Sequence, residues 1–302
     1  MNKHILITGG TGLLGKQLTA ALLKKGYSVS HLSRQNNNAD AKVKTYLWNV
    51  AKGTIDADCI KGVDLIVHLA GAGIADKKWT SERKQLLIES RTRSIALIYD
   101  LLKTKPNKVS SVISASGIGY YGDRGNELLT EESSPSADFM GECCVKWEQA
   151  VDEAAKLGLR VVKFRTGVVL TTEGGALPQL ALPIKFGFGT VLGNGQQWIP
   201  WIHLQDVIDM YILSIENESL SGVYNMVAPV PVTNEYFTQA VARQLHKPLW
   251  LPKVPAFALK LFLGEMSTVV LGSTKASPGK IEKAGFHFRY ITVEDALKEI
   301  YK

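Results

Sequence analysis

Between an apolar run, Ile5-Leu6-Ile7, and a helical pattern that begins near residue 14, the chain places Gly9, Gly12 and Gly15 at G-x-x-G-x-x-G spacing. No other feature constrains the fold as tightly. Strand, glycine turn and helix in direct succession form the opening of a βαβ dinucleotide site, and each glycine there has a task. The first permits the tight turn, the second lets backbone close on a pyrophosphate, and the third allows helix to pack closely on strand. The helix start, with Thr11, Gly12, Leu13 and Leu14, then offers free N–H groups and the positive end of a dipole. Glycines without this context are a weak signal, and a turn with no ligand is the bland alternative.

The rest of the chain continues the alternation. Strand-like runs at 5–8, 28–32, 64–69, 111–116 and 159–165 are separated by helical patterns at 14–25, 80–102 and 144–157. Continuous apolar strands between helices indicate an α/β fold, a doubly wound parallel sheet of the Rossmann type covered on both faces. Ligands bind where the strands of such a sheet end. From Gly174 onward, glycines and prolines (Gly187, Gly189, Gly193, Gly195, Pro178, Pro183, Pro200) mark loop-rich structure. The expected division is a dinucleotide-binding domain over 1–173, its sheet completed by parts of 200–230, and a smaller C-terminal substrate lobe over 174–302. Helical patterns in that lobe fall at 235–244, 255–263, 278–284 and 293–300.

Composition narrows the function classes. The 302 residues are 45% hydrophobic and 21% charged, which suits a globular protein with an ample core. The net charge of +7 is spread among acids, without a basic block. It argues against nucleic acid and suits attraction of a polyanionic cofactor. No stretch reaches the roughly 18 apolar residues of a membrane span, so a membrane partner is not expected. Cys59, Cys143 and Cys144 have no metal-ligand spacing, and the six histidines are dispersed, so no metal is expected. Unpaired cysteines fit a reducing, cytoplasmic compartment.

The second strand ends in Ser33-Arg34 where an acidic residue would favour NAD. A hydroxyl followed by a guanidinium suits a 2′-phosphate, so NADP(H) is expected over NAD(H). A solvated arginine at a strand end is the alternative.

Thr8-Gly9-Gly10-Thr11-Gly12-Leu13-Leu14-Gly15, with His68-Leu69-Ala70-Gly71-Ala72, resembles the short-chain dehydrogenase/reductase superfamily. Trp201-Ile202-His203-Leu204-Gln205-Asp206-Val207 resembles its extended branch of nucleotide-sugar epimerases and dehydratases. Trp79-Thr80-Ser81-Glu82-Arg83-Lys84, Glu89-Ser90-Arg91, Ser116-Gly117-Ile118-Gly119-Tyr120-Tyr121-Gly122, Trp147-Glu148, Asn225-Met226-Val227-Ala228-Pro229 and Gly264-Glu265 are similar to one poorly characterised "epimerase family" subgroup. Its members have been named both as sugar epimerases and as cell-division-related proteins, and their C-terminal domain has no assigned function.

The resemblance implies that Leu69, Ala70, Gly71 and Ala72 meet the cofactor, with Ser114 beside it and Thr166 and Gly167 touching the nicotinamide side. It implies that Ser116 holds the substrate oxygen, and that the helices after the fourth and fifth strands pair subunits into a homodimer. The family's catalytic Tyr-x-x-x-Lys is missing. Aligning Trp147-Glu148-Gln149 puts Met140 and Cys144 at the two positions, and a shifted register offers Glu142 and Lys146. A loop tyrosine, Tyr120 or Tyr121, is the remaining proton donor, with packing aromatics as the alternative. Cys143 and Cys144 read as small buried hydrophobes rather than nucleophiles. Arg83 and Arg91 read either as anion contacts or as a solvated helix face. His203 and Asp206 read either as substrate-positioning residues or as a packed ring and a helix start. Trp198, Trp201 and the loop at 193–195 read either as cleft lining or as core.

The function implied is an NADP(H)-dependent oxidoreductase or epimerase acting on a small carbonyl, hydroxyl or nucleotide-sugar-like substrate. The alternative is a catalytically silent NADP(H)-binding regulator linked to cell division.

Overall fold

The computed structural model describes residues 3–36 and 41–302. The chain runs β1 (His4–Thr8), α1 (Leu13–Lys24), β2 (Ser28–Ser33), β3 (Lys44–Asn49), β4 (Thr54–Ile55), β5 (Leu65–His68), α2 (Ser81–Thr104) and β6 (Ser111–Gly117). It continues through β7 (Leu128–Leu129), α3 (Phe139–Asp152), β8 (Arg160–Thr166), β9 (Val168–Leu170) and α4 (Ala176–Lys185). Then come β10 (Trp198–Ile199), β11 (Trp201–His203), α5 (Leu204–Glu216), β12 (Gly222–Met226), β13 (Val232–Thr233) and α6 (Asn234–Gln244). The last elements are α7 (Ala256–Leu263), α8 (Ser267–Leu271), β14 (Lys275–Ala276), α9 (Gly279–Lys283) and α10 (Val293–Ile300).

Eight strands form the main sheet in the order β12-β8-β6-β5-β1-β2-β3-β4. All pairs are parallel except β3 with β4. This is the doubly wound arrangement that the alternating runs predict. Strand order reverses between β1 and β5, so their carboxyl ends open a crevice at that point. The alternation of side chains across each strand splits the apolar residues between two cores. Ile5, Ile7, Val67 and Phe164 pack with α1 and α5 on one face. Leu6, Ile66 and Val112 pack with α2 and α3 on the other. Burial of a side chain such as Leu18 or Leu22, both fully buried, stabilises by about 1.5–3 kcal/mol.

Three helices are not legible in the pattern, α4, α5 and the five-residue α8. The α4 segment carries Pro178 and Pro183, which read as loop. Pro178 lies in the first turn, where its missing N–H has no helical partner to lose. The α5 segment follows β11 directly, with His203 as its N-cap. A third core joins α4, α6 and α10 through Leu177, Phe237 and Leu297.

The C-terminal lobe is stitched back onto the loop that follows β6. β14 pairs in parallel with β7, Ser273 Oγ donates to Gly125 O at 2.7 Å, and Thr274 Oγ1 donates to Gly122 O at 2.8 Å.

Candidate active site

At the β1–α1 turn the glycines meet close backbone. Gly9 has φ of +71°, and a Cβ there would lie 2.9 Å from the Leu69 carbonyl carbon. A Cβ on Gly15 would collide with the Gly9 carbonyl oxygen, and one on Gly10 with the His31 ring. Turn, strand β5 and helix α1 can therefore meet this closely only with hydrogen at those positions. Thr8 Oγ1 accepts Leu69 N–H at 3.2 Å and Ala70 N–H at 3.1 Å, which ties the two sides of the crevice together.

The helix start is open. Gly12 is the N-cap and supplies no side-chain cap, and the first helical bond is Lys16 N–H to Gly12 O at 2.9 Å. The N–H groups of Leu13, Leu14 and Gly15 consequently have no carbonyl within the helix. Thr11 and Gly12 are exposed beside them. Such a cradle fits a pyrophosphate. Arg34 is exposed just past β2, beside half-buried Ser33, whose Oγ accepts Gln35 N–H at 3.3 Å.

Leu69, Ala70, Gly71 and Ala72 form the opposite rim, braced from α2. Ser90 Oγ accepts Ala72 N–H at 3.0 Å, and Arg91 Nη2 donates to Ala72 O at 3.0 Å. Arg91 also donates to Leu87 O at 2.8 Å and stacks 4.9 Å from the Trp147 ring centroid. It is a buried brace, not a solvated charge or an anion contact. Arg83 likewise donates to Gly73 O at 2.5 Å.

Beyond this rim the carboxyl ends of β6 and β8 carry a buried polar cluster. Ser116 Oγ donates to Glu148 Oε1 at 2.8 Å. Arg165 grips the same carboxylate with two bonds, Nε to Oε1 at 2.8 Å and Nη2 to Oε2 at 2.9 Å. Its Nη1 donates to Tyr121 Oη at 2.9 Å, and Tyr121 Oη donates to Asn225 Oδ1 at 2.7 Å. The guanidinium carbon lies 3.3 Å from the Tyr120 ring centroid. Burial works against the charge on Arg165, but the bonds and charge of Glu148 outweigh it and push the pKa up.

The two loop tyrosines therefore differ. Tyr121 is fully buried, and burial pushes its hydroxyl up to about 12 in spite of Arg165. With its hydroxyl committed to Arg165 and Asn225, it is a packing and tethering residue, which corrects its reading as a proton donor. Tyr120 is half-buried, its ring held on the guanidinium and edge-on to Tyr121 at 5.3 Å. Ser114 is fully buried and donates to Ala115 O at 2.8 Å, so its hydroxyl is already engaged within the sheet. Thr166 and Gly167 are half-buried at the end of β8, where Gly167 N–H donates to Met226 O at 3.1 Å and a Cβ would strike Pro200 O.

Helix α3 settles the missing pair. Met140 packs over Gly119, and Cys144 Sγ lies 3.5 Å from Gly117 O with its thiol pushed up to about 12 by burial. Neither cysteine of α3 is a poised nucleophile. Glu142 and Lys146, the shifted-register pair, are both exposed and bridge each other at 2.5 Å, away from Ser116. The side chain that α3 does send to Ser116 is Glu148, six-percent exposed, which in the sequence stands only as part of the Trp147-Glu148 family pattern. One signal was available: an acid sharing a helix face with Cys144 and Val151 calls for a buried cation.

His203 and Asp206 take the bland alternative. His203 Nδ1 accepts Gln205 N–H at 3.0 Å, capping α5, and its ring stacks on Tyr290 at 3.9 Å. Asp206 accepts Arg289 N–H at 2.8 Å and Tyr290 N–H at 3.2 Å. Trp201 is core, its Nε1 donating to Val230 O at 3.0 Å.

Residues 5–226 match the NAD dependent epimerase/dehydratase family, and residues 254–300 match a domain of unknown function, DUF1731. This chain belongs to the NAD dependent epimerase/dehydratase family. An epimerase family protein of Staphylococcus aureus is 38% identical over 303 residues, 99% of each chain. The epimerase family protein YfhF of Bacillus subtilis is 37% identical over 298 residues, covering 98% of this chain and 97% of that one. Among solved structures, human epimerase family protein SDR39U1 (isoform 2) with NADPH superposes with a TM-score of 0.86 at 28% identity, covering 99% of each chain. A nucleoside-diphosphate sugar epimerase from Corynebacterium glutamicum superposes with a TM-score of 0.80 at 32% identity, covering 100% of this chain and 58% of that one. For this family member the glycine cradle lies where a dinucleotide-binding fold holds its pyrophosphate.

Proposed function

We propose that this protein is an NADP(H)-dependent oxidoreductase or epimerase-like enzyme acting on a small carbonyl, hydroxyl or nucleotide-sugar-like substrate. The observation that carries the reading is the uncapped glycine cradle of α1, which shares the sheet's carboxyl edge with Ser116 and Tyr120. The NADPH in the SDR39U1 structure supports the choice of cofactor. The backbone of Gly9, Thr11, Gly12, Leu13, Leu14 and Gly15 would hold the pyrophosphate, and Ser33 with Arg34 the 2′-phosphate. Leu69 to Ala72 would line the adenosine side, and Thr166 and Gly167 the nicotinamide side. When bound, the cofactor supplies hydride chemistry.

The protein's own residues do the rest. Ser116 gives its hydrogen to Glu148, so its Oγ lone pairs remain to accept a hydrogen bond from a substrate hydroxyl. Tyr120 is the proton-transfer group, with its ring fixed from below by Arg165. Glu148 and Arg165 are positioning residues that set both. The three cysteines are free, and all are buried, which supports a reducing, cytoplasmic setting. A homodimer and a small-molecule partner, without nucleic acid, complete the proposal.

Met140 and Cys144 at the family's tyrosine and lysine positions favour one second reading, a dinucleotide-binding regulator without turnover. Steady turnover with any carbonyl substrate excludes it.

The experiment is calorimetric titration of nucleotide-stripped protein with NADPH and NADH, repeated for Arg34→Ala. The expected result is NADPH binding at least about tenfold tighter than NADH, with the preference lost in Arg34→Ala. Binding of neither nucleotide overturns the reading.

A further inference from the structure

The short helix α7 is apolar but for Lys260 and buries none of its residues. Phe257, Leu261 and Phe262 are 74%, 78% and 73% exposed. They continue a second set: Phe186, Phe188 and Trp250 are 72%, 62% and 66% exposed. The two sets belong to one ribbon. Trp250 Nε1 donates to Gly187 O at 3.0 Å, and Thr190 Oγ1 donates to Pro252 O at 2.6 Å. Val254 N–H then donates to Val191 O at 2.9 Å, one residue before α7 is entered through Pro255. Single exposed apolar side chains are ordinary, whereas six large ones on a continuous strip mark a contact surface.

Charge identifies what covers it. Between Glu235 and Glu265 the sequence has no acidic residue, while it holds Arg243, Lys247, Lys253 and Lys260. Arg243 is answered by Glu294 and Lys253 by Glu235. Lys247 and Lys260 are exposed, and Lys260 stands on α7 between Phe257 and Leu261. Aromatic and leucine side chains interleaved with lysines suit a water–lipid interface: the rings enter the headgroup layer while each lysine stem lies along it with its ammonium among phosphates. A helix of eight residues reaches only about 12 Å, far short of spanning a bilayer, so it lies along the surface. No helix among the described residues is long and apolar enough to cross a membrane, and docking of this kind needs none.

We propose that α7, together with Trp250 and the turn at Phe186 and Phe188, docks reversibly onto a membrane surface bearing anionic headgroups. The proposal departs from the expectation of no membrane partner, which rests on the lack of a spanning segment.

The test is co-sedimentation of the full-length protein with phosphatidylcholine vesicles and with vesicles in which part of the lipid is phosphatidylglycerol. The wild type is expected to sediment with the anionic vesicles and much less with phosphatidylcholine alone. The double variant Leu261→Glu/Phe262→Glu should lose at least about tenfold in partitioning, and Lys260→Gln about fivefold. NADPH titration of each variant serves as the fold control. No sedimentation of the wild type with anionic vesicles overturns the proposal, as does equal binding to both compositions. A dimer in solution that Leu261→Glu dissociates assigns the strip to a second copy and overturns it too. Failure to bind NADPH by the wild type bears on the enzyme reading alone.

Discussion

Two adjacent tyrosines with opposite surroundings give the sharpest contrast at the level of single residues. Removing the Tyr121 hydroxyl leaves Arg165 and Asn225 each short of a buried partner. Tyr121→Phe should cost about 1–3 kcal/mol, read from urea denaturation. Tyr120→Phe should change stability by less than about 0.5 kcal/mol, because no buried partner loses a bond. It should instead abolish NADPH oxidation with any carbonyl compound that the wild type turns over. Retention of full turnover in Tyr120→Phe would remove it from the chemistry. The thiol of Cys144, buried and pushed up to about 12, should resist an aromatic disulfide reagent in the native protein and react once the chain is unfolded. Rapid labelling in the folded state would show that α3 opens locally or that the thiol is activated.

At the scale of elements, the first half of the fold was legible because its signals are local. The β1–α1 turn, β5 and β6 announce themselves as apolar runs that stop at glycine or serine. Boundaries moved where a cap decides them: α3 starts at Phe139 because Asp138 accepts Gly141 N–H at 2.8 Å, five residues before the helical pattern read from 144. β3 was missed because Lys44-Thr45-Tyr46-Leu47-Trp48-Asn49 lacks a continuous apolar run; only Tyr46 and Trp48 turn inward. The candidate site was legible in part. The cradle and Ser116 follow from spacing and family pattern, whereas Glu148 and Arg165 are 17 residues apart in sequence and meet only because α3 packs across β6 and β8. No periodicity encodes that meeting. Breaking the pair by Glu148→Ala would leave a buried guanidinium uncompensated, at a cost of about 3–5 kcal/mol.

The whole molecule has a pH response set by buried groups of opposite sign. Burial pushes His68 and His203 down to about 4. Below about pH 6.5 the unfolded chain takes up protons at both while the folded chain does not, so each contribution to stability is lost as pH falls toward 4. Asp206, pushed up to about 6 by burial, runs the other way: its contribution is present below about pH 4 and is lost as pH rises through 6. Burial lowers His4 and His31 as well, so four histidines stand against one carboxyl, and net stability should fall between pH 6.5 and 4.5. Thermal melts across that range check it, and a Tm that stays level or rises on acidification would refute the balance.

The stitching of the C-terminal lobe also has a history in time. The hydroxyls of Ser273 and Thr274 hold the carbonyls of Gly125 and Gly122, respectively 148 and 152 residues upstream. A ribosome adding roughly 5–20 residues per second makes the tyrosine loop on the order of ten seconds before its clamp exists. Through that interval the nascent chain has its glycine turn but not the fastening that shapes Tyr120 and Tyr121. The loop that carries both tyrosines is thus fastened only after Ser273 and Thr274 have been made. A product terminated before Ser273 would keep the glycine turn but leave the loop of Tyr120 and Tyr121 unfastened.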